Sequence, residues 1–164
     1  MTVFQIRAYG DPVLRQVTKQ VDLFDEGLAK LAQDMLETMH EAEGVGLAAN
    51  QIGVDRAIFV YDAGDGPVVM VNPRIIETSG EWSYEEGCLS VPGLHWPIVR
   101  PNRVHAKGHD LSGAEIEVWG EELEGRVLQH EMDHLNGRLL LEHLDPVQRR
   151  EAMAALGART LEKP

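Results

Sequence analysis

Five consecutive residues, His130-Glu131-Met132-Asp133-His134, carry the clearest chemistry in this chain. Side chains four apart on a helix share one face, so both imidazoles can reach a single divalent ion while Glu131 stands beside a water bound to it. Two histidines at that spacing can equally be packed core residues, so the pentad alone leaves both readings open. A catalytic site of this kind holds its ion with three protein side chains and leaves one position for water. Cys88, the only cysteine, is the candidate third ligand. A lone cysteine is otherwise a small buried hydrophobe. Its setting, Glu85-Glu86-Gly87-Cys88-Leu89-Ser90, argues against that, because the glycine permits close backbone approach and the polar flanks do not resemble a core strand. His40, His95, His105, His109 and His143 have no partner at ligand spacing and read as surface or structural residues.

A third segment, Gly44-Val45-Gly46-Leu47-Ala48-Ala49-Asn50-Gln51, also bears on chemistry. Read plainly, it is a helix stop followed by a turn of small residues. Read functionally, the small side chains leave backbone groups free for an extended ligand, and Gln51 offers an uncharged amide to a developing oxyanion. Both readings stand at this point.

The elements that must position these residues follow from periodicity. Over residues 25–42, Leu28, Leu31, Met35 and Met39 recur at spacings of three and four, and Gly44 signals a stop, which predicts an amphipathic helix. Residues 56–61 and 68–71 are short, apolar and β-branched, with turn residues between them, and predict paired strands. Residues 103–109 and 115–119 flank Asp110-Leu111-Ser112-Gly113 and predict a second hairpin. Leu123, Val127, His130 and His134 advance by four, three and four, placing the histidine pentad on a helix over 121–136; Pro146 opens a last helix through Leu156. The expected fold is α+β, with mixed or antiparallel strands around a central metal-bearing helix and further helices near each terminus.

The 164 residues suit one domain spanning 1–164. No apolar run approaches the length of a membrane helix, and the first residues lack the apolar centre of a secretory signal, so a soluble cytoplasmic protein is expected. One cysteine forms no internal disulfide. A net charge of −12 disfavours broad or sequence-specific nucleic-acid binding. Arg149, Arg150, Arg159 and Lys163 in the tail are diluted by Glu151 and Glu162 and read as a solvated helix face.

The segments 44–51, 86–90 and 129–134 together resemble the three motifs of peptide deformylase in kind, order and separation, and the resemblance spans about residues 7–144. It implies Cys88, His130 and His134 as ligands of one divalent ion, natively Fe²⁺, with Zn²⁺ or Ni²⁺ as occupants after purification. It further implies Glu131 as acid/base, Gln51 and the Leu89 backbone N–H as oxyanion donors, and Gly46 as a holder of the substrate backbone. Val45, Tyr84, Leu123 and Val127, with Glu86 nearby, would form the apolar pocket for the first side chain. The implied substrate is a formyl-methionyl nascent peptide, and the implied further partner is a ribosome, contacted weakly through the C-terminal helix. Residues 92–97, Pro-Gly-Leu-His-Trp-Pro, and Leu140-Leu141-Glu142 depart mildly from the family pattern. Three competing readings are a general HExxH peptidase, a non-catalytic metal or nascent-chain binder, and a structural metal site; the last would need a fourth protein ligand.

Overall fold

The computed structural model describes residues 2–162, with side chains through Gly157; the side chains of Arg159 and Lys163 lie outside the described residues. The first helix, α1 (Glu26–Glu41), starts where the Asp25 carboxylate accepts the Leu28 N–H at 3.0 Å. Leu28, Ala32, Met35 and Met39 recur at helical spacing and are all buried. The helix ends in a Schellman motif. The Gly44 N–H donates to Met39 O at 2.9 Å and the Glu43 N–H to His40 O at 3.0 Å, with Glu43 in the left-handed region at φ +56°. Gly44 therefore lies one residue beyond the left-handed position.

The chain then forms β1 (Gly46–Ala48), β2 (Ile58–Tyr61) and β3 (Val68–Ser79), a separate hairpin of β4 (Trp82–Cys88) and β5 (Val91–Arg100), and β6 (Arg103–His109) and β7 (Glu115–Glu121). The main sheet has the order β1-β2-β3-β6-β7, and every pairing is antiparallel. Helix α2 (Glu122–Leu135) follows β7 directly, and α3 (Pro146–Glu162) closes the chain.

Helices α1 and α2 cover opposite faces of the main sheet. Successive strand side chains point to opposite faces, so Ile58, Val60 and Val71 join α1 in one apolar cluster. Phe59, Tyr61 and Met70 join Val127, Leu128 and Leu135 of α2 in another. All four residues of β2 are buried, which explains why its sequence is a continuous apolar run. At about 1.5–3 kcal/mol for each large apolar side chain fully buried, these clusters fix the position of α2. A third cluster docks Leu140, Leu141 and Leu144, and with them Ala152 of α3, against Ile98 of β5.

The α+β expectation holds, with strands longer than their apolar cores. β3 continues to Ser79 because its outer half pairs with β6 while its side chains lie exposed. One expectation is corrected. Residues 46–48 form an edge strand, since Gly46, Leu47 and Ala48 pair with Tyr61, Val60 and Phe59. The Cys88 segment, whose polar flanks did not suggest a core strand, is the end of β4, in a hairpin outside the main sheet. Among the described residues, no helix is long and apolar enough to cross a membrane.

Candidate active site

Cys88, His130 and His134 meet where the end of β4 faces α2. One ligand atom from each lies within 4.8 Å of the others. Cys88 Sγ is 3.3 Å from His134 Nε2, and the two Nε2 atoms are 3.2 Å apart. The register of the hairpin delivers the sulfur. Gly87 pairs with His95 but Cys88 pairs with Val91, so Pro92, Gly93 and Leu94 bulge outward, with Gly93 at φ +77°.

The donors are prepared for a cation. Burial pushes the Cys88 thiol up, but His134 and His130 beside it outweigh that and hold it well below the usual thiol value. Burial opposes charge on His130, whereas Cys88 and Glu86 raise its pKa well above the ordinary imidazole value. Glu86 Oε1 stands 2.8 Å from His130 Nδ1. Burial opposes ionisation of Glu86, yet hydrogen bonds from His130 and Arg100 hold its carboxyl well below the usual range. An ionised Glu86 only accepts, so His130 Nδ1 carries a proton and Nε2 is the nitrogen turned to the cluster, where it would ligate an ion on giving up its own proton. One thiolate and two imidazoles form a donor set suited to a borderline divalent ion.

Glu131 is 3% exposed, and its Oε2 is buried without a hydrogen-bond partner among the described residues. Burial raises its carboxyl pKa above the usual value, against the lowering effect of the two histidines. It packs on Gly46, where an added Cβ would lie 2.7 Å from Glu131 Oε1. Gly44 stands in the same relation to Leu89, with a Cβ falling 2.6 Å from Leu89 Cδ1. These two contacts give the small residues of 44–51 a packing reason. Asn50 Nδ2 donates to the carbonyl oxygen of His134 and ties that segment to the end of α2.

The amide of Gln51 has a fixed orientation. Its Oε1 accepts the Ala48 N–H at 3.0 Å, leaving Nε2 to donate to Ser90 Oγ at 3.1 Å and to face Cys88 Sγ at 3.7 Å. The N-terminal segment clamps both sides of this arrangement, Arg7 N–H donating to Gln51 O and Tyr9 N–H to Ser90 O.

A cavity of about 580 Å³ opens over the cluster, within the range of small-ligand sites. Cys88, His130, Glu131, Gln51, Leu89, Val45, Gly46, Tyr84, Glu86, Leu123 and Val127 all line it. Of the residues singled out from sequence only His134 does not, and it lies behind the wall, 1% exposed. Two refinements emerge. Glu86 lines the cavity, but its oxygens are occupied by Arg100, Arg126 and His130 at 2.7–2.9 Å. His95, read as surface or structural, lies on the cavity wall against Gly87.

Sequence reasoning missed Arg126, Arg100 and Asp133. Arg126 is 2% exposed, bonded to Glu86, with its guanidinium over the stacked rings of Trp82 and Tyr84 at 5.6 and 5.9 Å. Its position four residues before His130 was a usable signal, because it shares that helix face. Arg100 meets Glu86 only through the pairing of β4 with β5, which no local pattern reveals.

Comparison with known proteins agrees with this geometry. A family model described as "Polypeptide deformylase" matches residues 3–150. The chain belongs to that family. The peptide deformylase of Clostridium botulinum is 49% identical over 122 residues, covering 74% of this chain and 83% of its own length. The crystal structure of the Legionella pneumophila deformylase superposes with a TM-score of 0.91 at 41% identity, covering 99% of this chain and 100% of its own. The deformylase of Ehrlichia chaffeensis in complex with actinonin gives 0.94 at 36% identity, covering 100% of both chains. Membership favours deformylation of nascent peptides over general HExxH peptidase activity, and it makes the Cys88, His130 and His134 cluster the site of a divalent metal.

Proposed function

We propose that this deformylase hydrolyses the N-formyl group of the initiator methionine, releasing formate, with Fe²⁺ held by Cys88, His130 and His134 and with Zn²⁺ or Ni²⁺ able to take its place. The observation that carries the reading is the convergence of three donor atoms within 4.8 Å beside a buried carboxylate oxygen of Glu131 that has no hydrogen-bond partner among the described residues. A divalent ion in such a site supplies Lewis acidity and lowers the pKa of a bound water toward neutrality.

Glu131 takes the proton of the attacking water and passes it to the leaving amine. The raised pKa that burial gives its carboxyl suits a group that must hold a proton between those steps. Gln51 Nε2 and the Leu89 backbone N–H donate to the oxyanion that develops on the formyl oxygen. Val45, Tyr84, Leu123 and Val127 receive the methionine side chain, and Gly46 leaves its backbone open to the peptide. The role we assign to Glu86 is orientation of His130, since its oxygens are already bonded. A weak ribosome contact through α3 is part of this reading, with Arg149, Arg150, Arg159 and Lys163 as the cations of that tail.

Elemental analysis and formate release on the same preparations test the assignment. Cys88→Ala is expected to lose both metal and activity. Glu131→Gln should keep its ion while turnover falls about 10²- to 10⁴-fold. A metal-loaded Glu131→Gln with near wild-type turnover would overturn the mechanism, and full metal retention by Cys88→Ala would overturn the site. The Ehrlichia chaffeensis relative binds actinonin, so actinonin should compete here with a formyl-Met peptide.

A further inference from the structure

The described histidines outside the ligand set include one whose contacts lead back to the metal centre. His143 ends the 3-10 turn Leu140–His143, just before α3. Its Nε2 is 2.7 Å from Asp133 Oδ2, and Arg100 Nη1 donates to that same oxygen at 2.7 Å. Arg100 then grips Glu86 with two further donors, Nε to Oε2 at 2.8 Å and Nη2 to Oε1 at 2.9 Å, and Glu86 Oε1 accepts from His130 Nδ1 at 2.8 Å.

Side-chain exposure falls along this line from 30% at His143 through 19% at Asp133 to 6% at Arg100 and 4% at Glu86. The chain thus runs from solvent to a ligand ring without a gap. A guanidinium is planar and its donors keep a fixed fork, so whatever sets one edge of Arg100 sets the edge that faces Glu86. Asp133 sets that edge, and His143 and Arg100 together hold Asp133 by one oxygen.

We propose that His143 is a positioning residue for the metal centre, steadying the ring of His130 through Asp133, Arg100 and Glu86. The proposal rests on the metal-site reading above. The ordinary alternative is a partly exposed ion pair, which contributes little to anything. The two differ in what they predict for the ion. A mere surface pair leaves metal release unchanged, whereas an orienting chain alters it, because outer partners of ligating histidines govern how firmly the ion is held.

The test loads wild type, His143→Leu, His143→Ala and His143→Gln with zinc, dilutes each into excess chelator, and follows release of the ion alongside Tm. Gln places an amide nitrogen near the position of Nε2 and can still donate to Asp133. Direct outer partners are worth about 10- to 100-fold in metal affinity, and His143 acts through three intermediaries, so the Leu and Ala variants should release zinc about 3- to 10-fold faster. The Gln variant should stay within about twofold of wild type. Equal release rates for wild type, Leu and Ala would overturn the proposal whatever happens to Tm, and so would a Gln variant as fast as Leu. Failure of wild type to retain zinc at all would overturn the metal-site reading, and this proposal with it.

Discussion

Along α2, Val127, Leu128 and Leu135 pack into the apolar cluster of the main sheet, whereas Arg126, His130 and Asp133 turn toward the β4–β5 hairpin and are held there by charge. Apolar contact is non-directional, so it sets where the helix lies without setting the rotation of any ring. Charged hydrogen bonds are directional, and in this hairpin they converge on one carboxylate, Glu86. One side of the helix supplies location and the other supplies orientation.

If that division is right, Glu86→Leu should have the largest effect. It leaves Arg126 buried without a counter-charge and Arg100 with Asp133 alone, at a cost of about 3–5 kcal/mol. It also frees the His130 ring, which should weaken zinc binding about 10- to 100-fold. Chemical denaturation and a chelator titration read the two effects separately, and weakened stability with unchanged zinc affinity would break the comparison.

Leu128→Ala should give the complementary result. Leu128 is 1% exposed and does not line the cavity, so the substitution should cost about 2–5 kcal/mol of stability. Zinc affinity and KM in the folded protein should stay at wild-type values, and a zinc affinity that falls with stability would merge the two sides into one.

Acid sharpens the contrast with the smallest effect. The folded-state pKa of Glu86 lies below its ordinary value of 4.5, so its stabilising contribution is present above that pH and is lost as pH falls through and below it. Asp133 is depressed in the same sense from 3.8, its burial outweighed by His143 and Arg100. The Tm of the metal-free protein should therefore drop steeply below about pH 4.5, and less steeply in Glu86→Gln. Parallel acid limbs in the two proteins would remove the hairpin charges from the explanation.

The same division explains what could be read in the sequence. The apolar side was legible because Leu28, Met35 and Met39, like Leu123 and Val127, obey a helical period, and the pentad at 130–134 needs only local geometry. The whole of β4–β5 was not recognised as a hairpin, since its burial alternates weakly and its partner is not the main sheet. With it went Arg100, whose meeting with Glu86 depends on strand register, and Asp133, which was an unread position inside the pentad. His143 could not be paired with anything until the turn that carries it was docked by Leu140, Leu141 and Leu144.

Gly46 has a consequence for inhibition. Every single-base change that replaces a glycine introduces either a stop or a residue bearing a Cβ, and that atom would lie 2.7 Å from the carboxylate on which turnover depends under the proposed mechanism. Val45, Tyr84 and Leu123 can exchange one apolar side chain for another and so reshape the pocket against a bound drug. A compound that draws its affinity from the backbone of Gly46 rests on a position that cannot be replaced in one step without crowding that carboxylate.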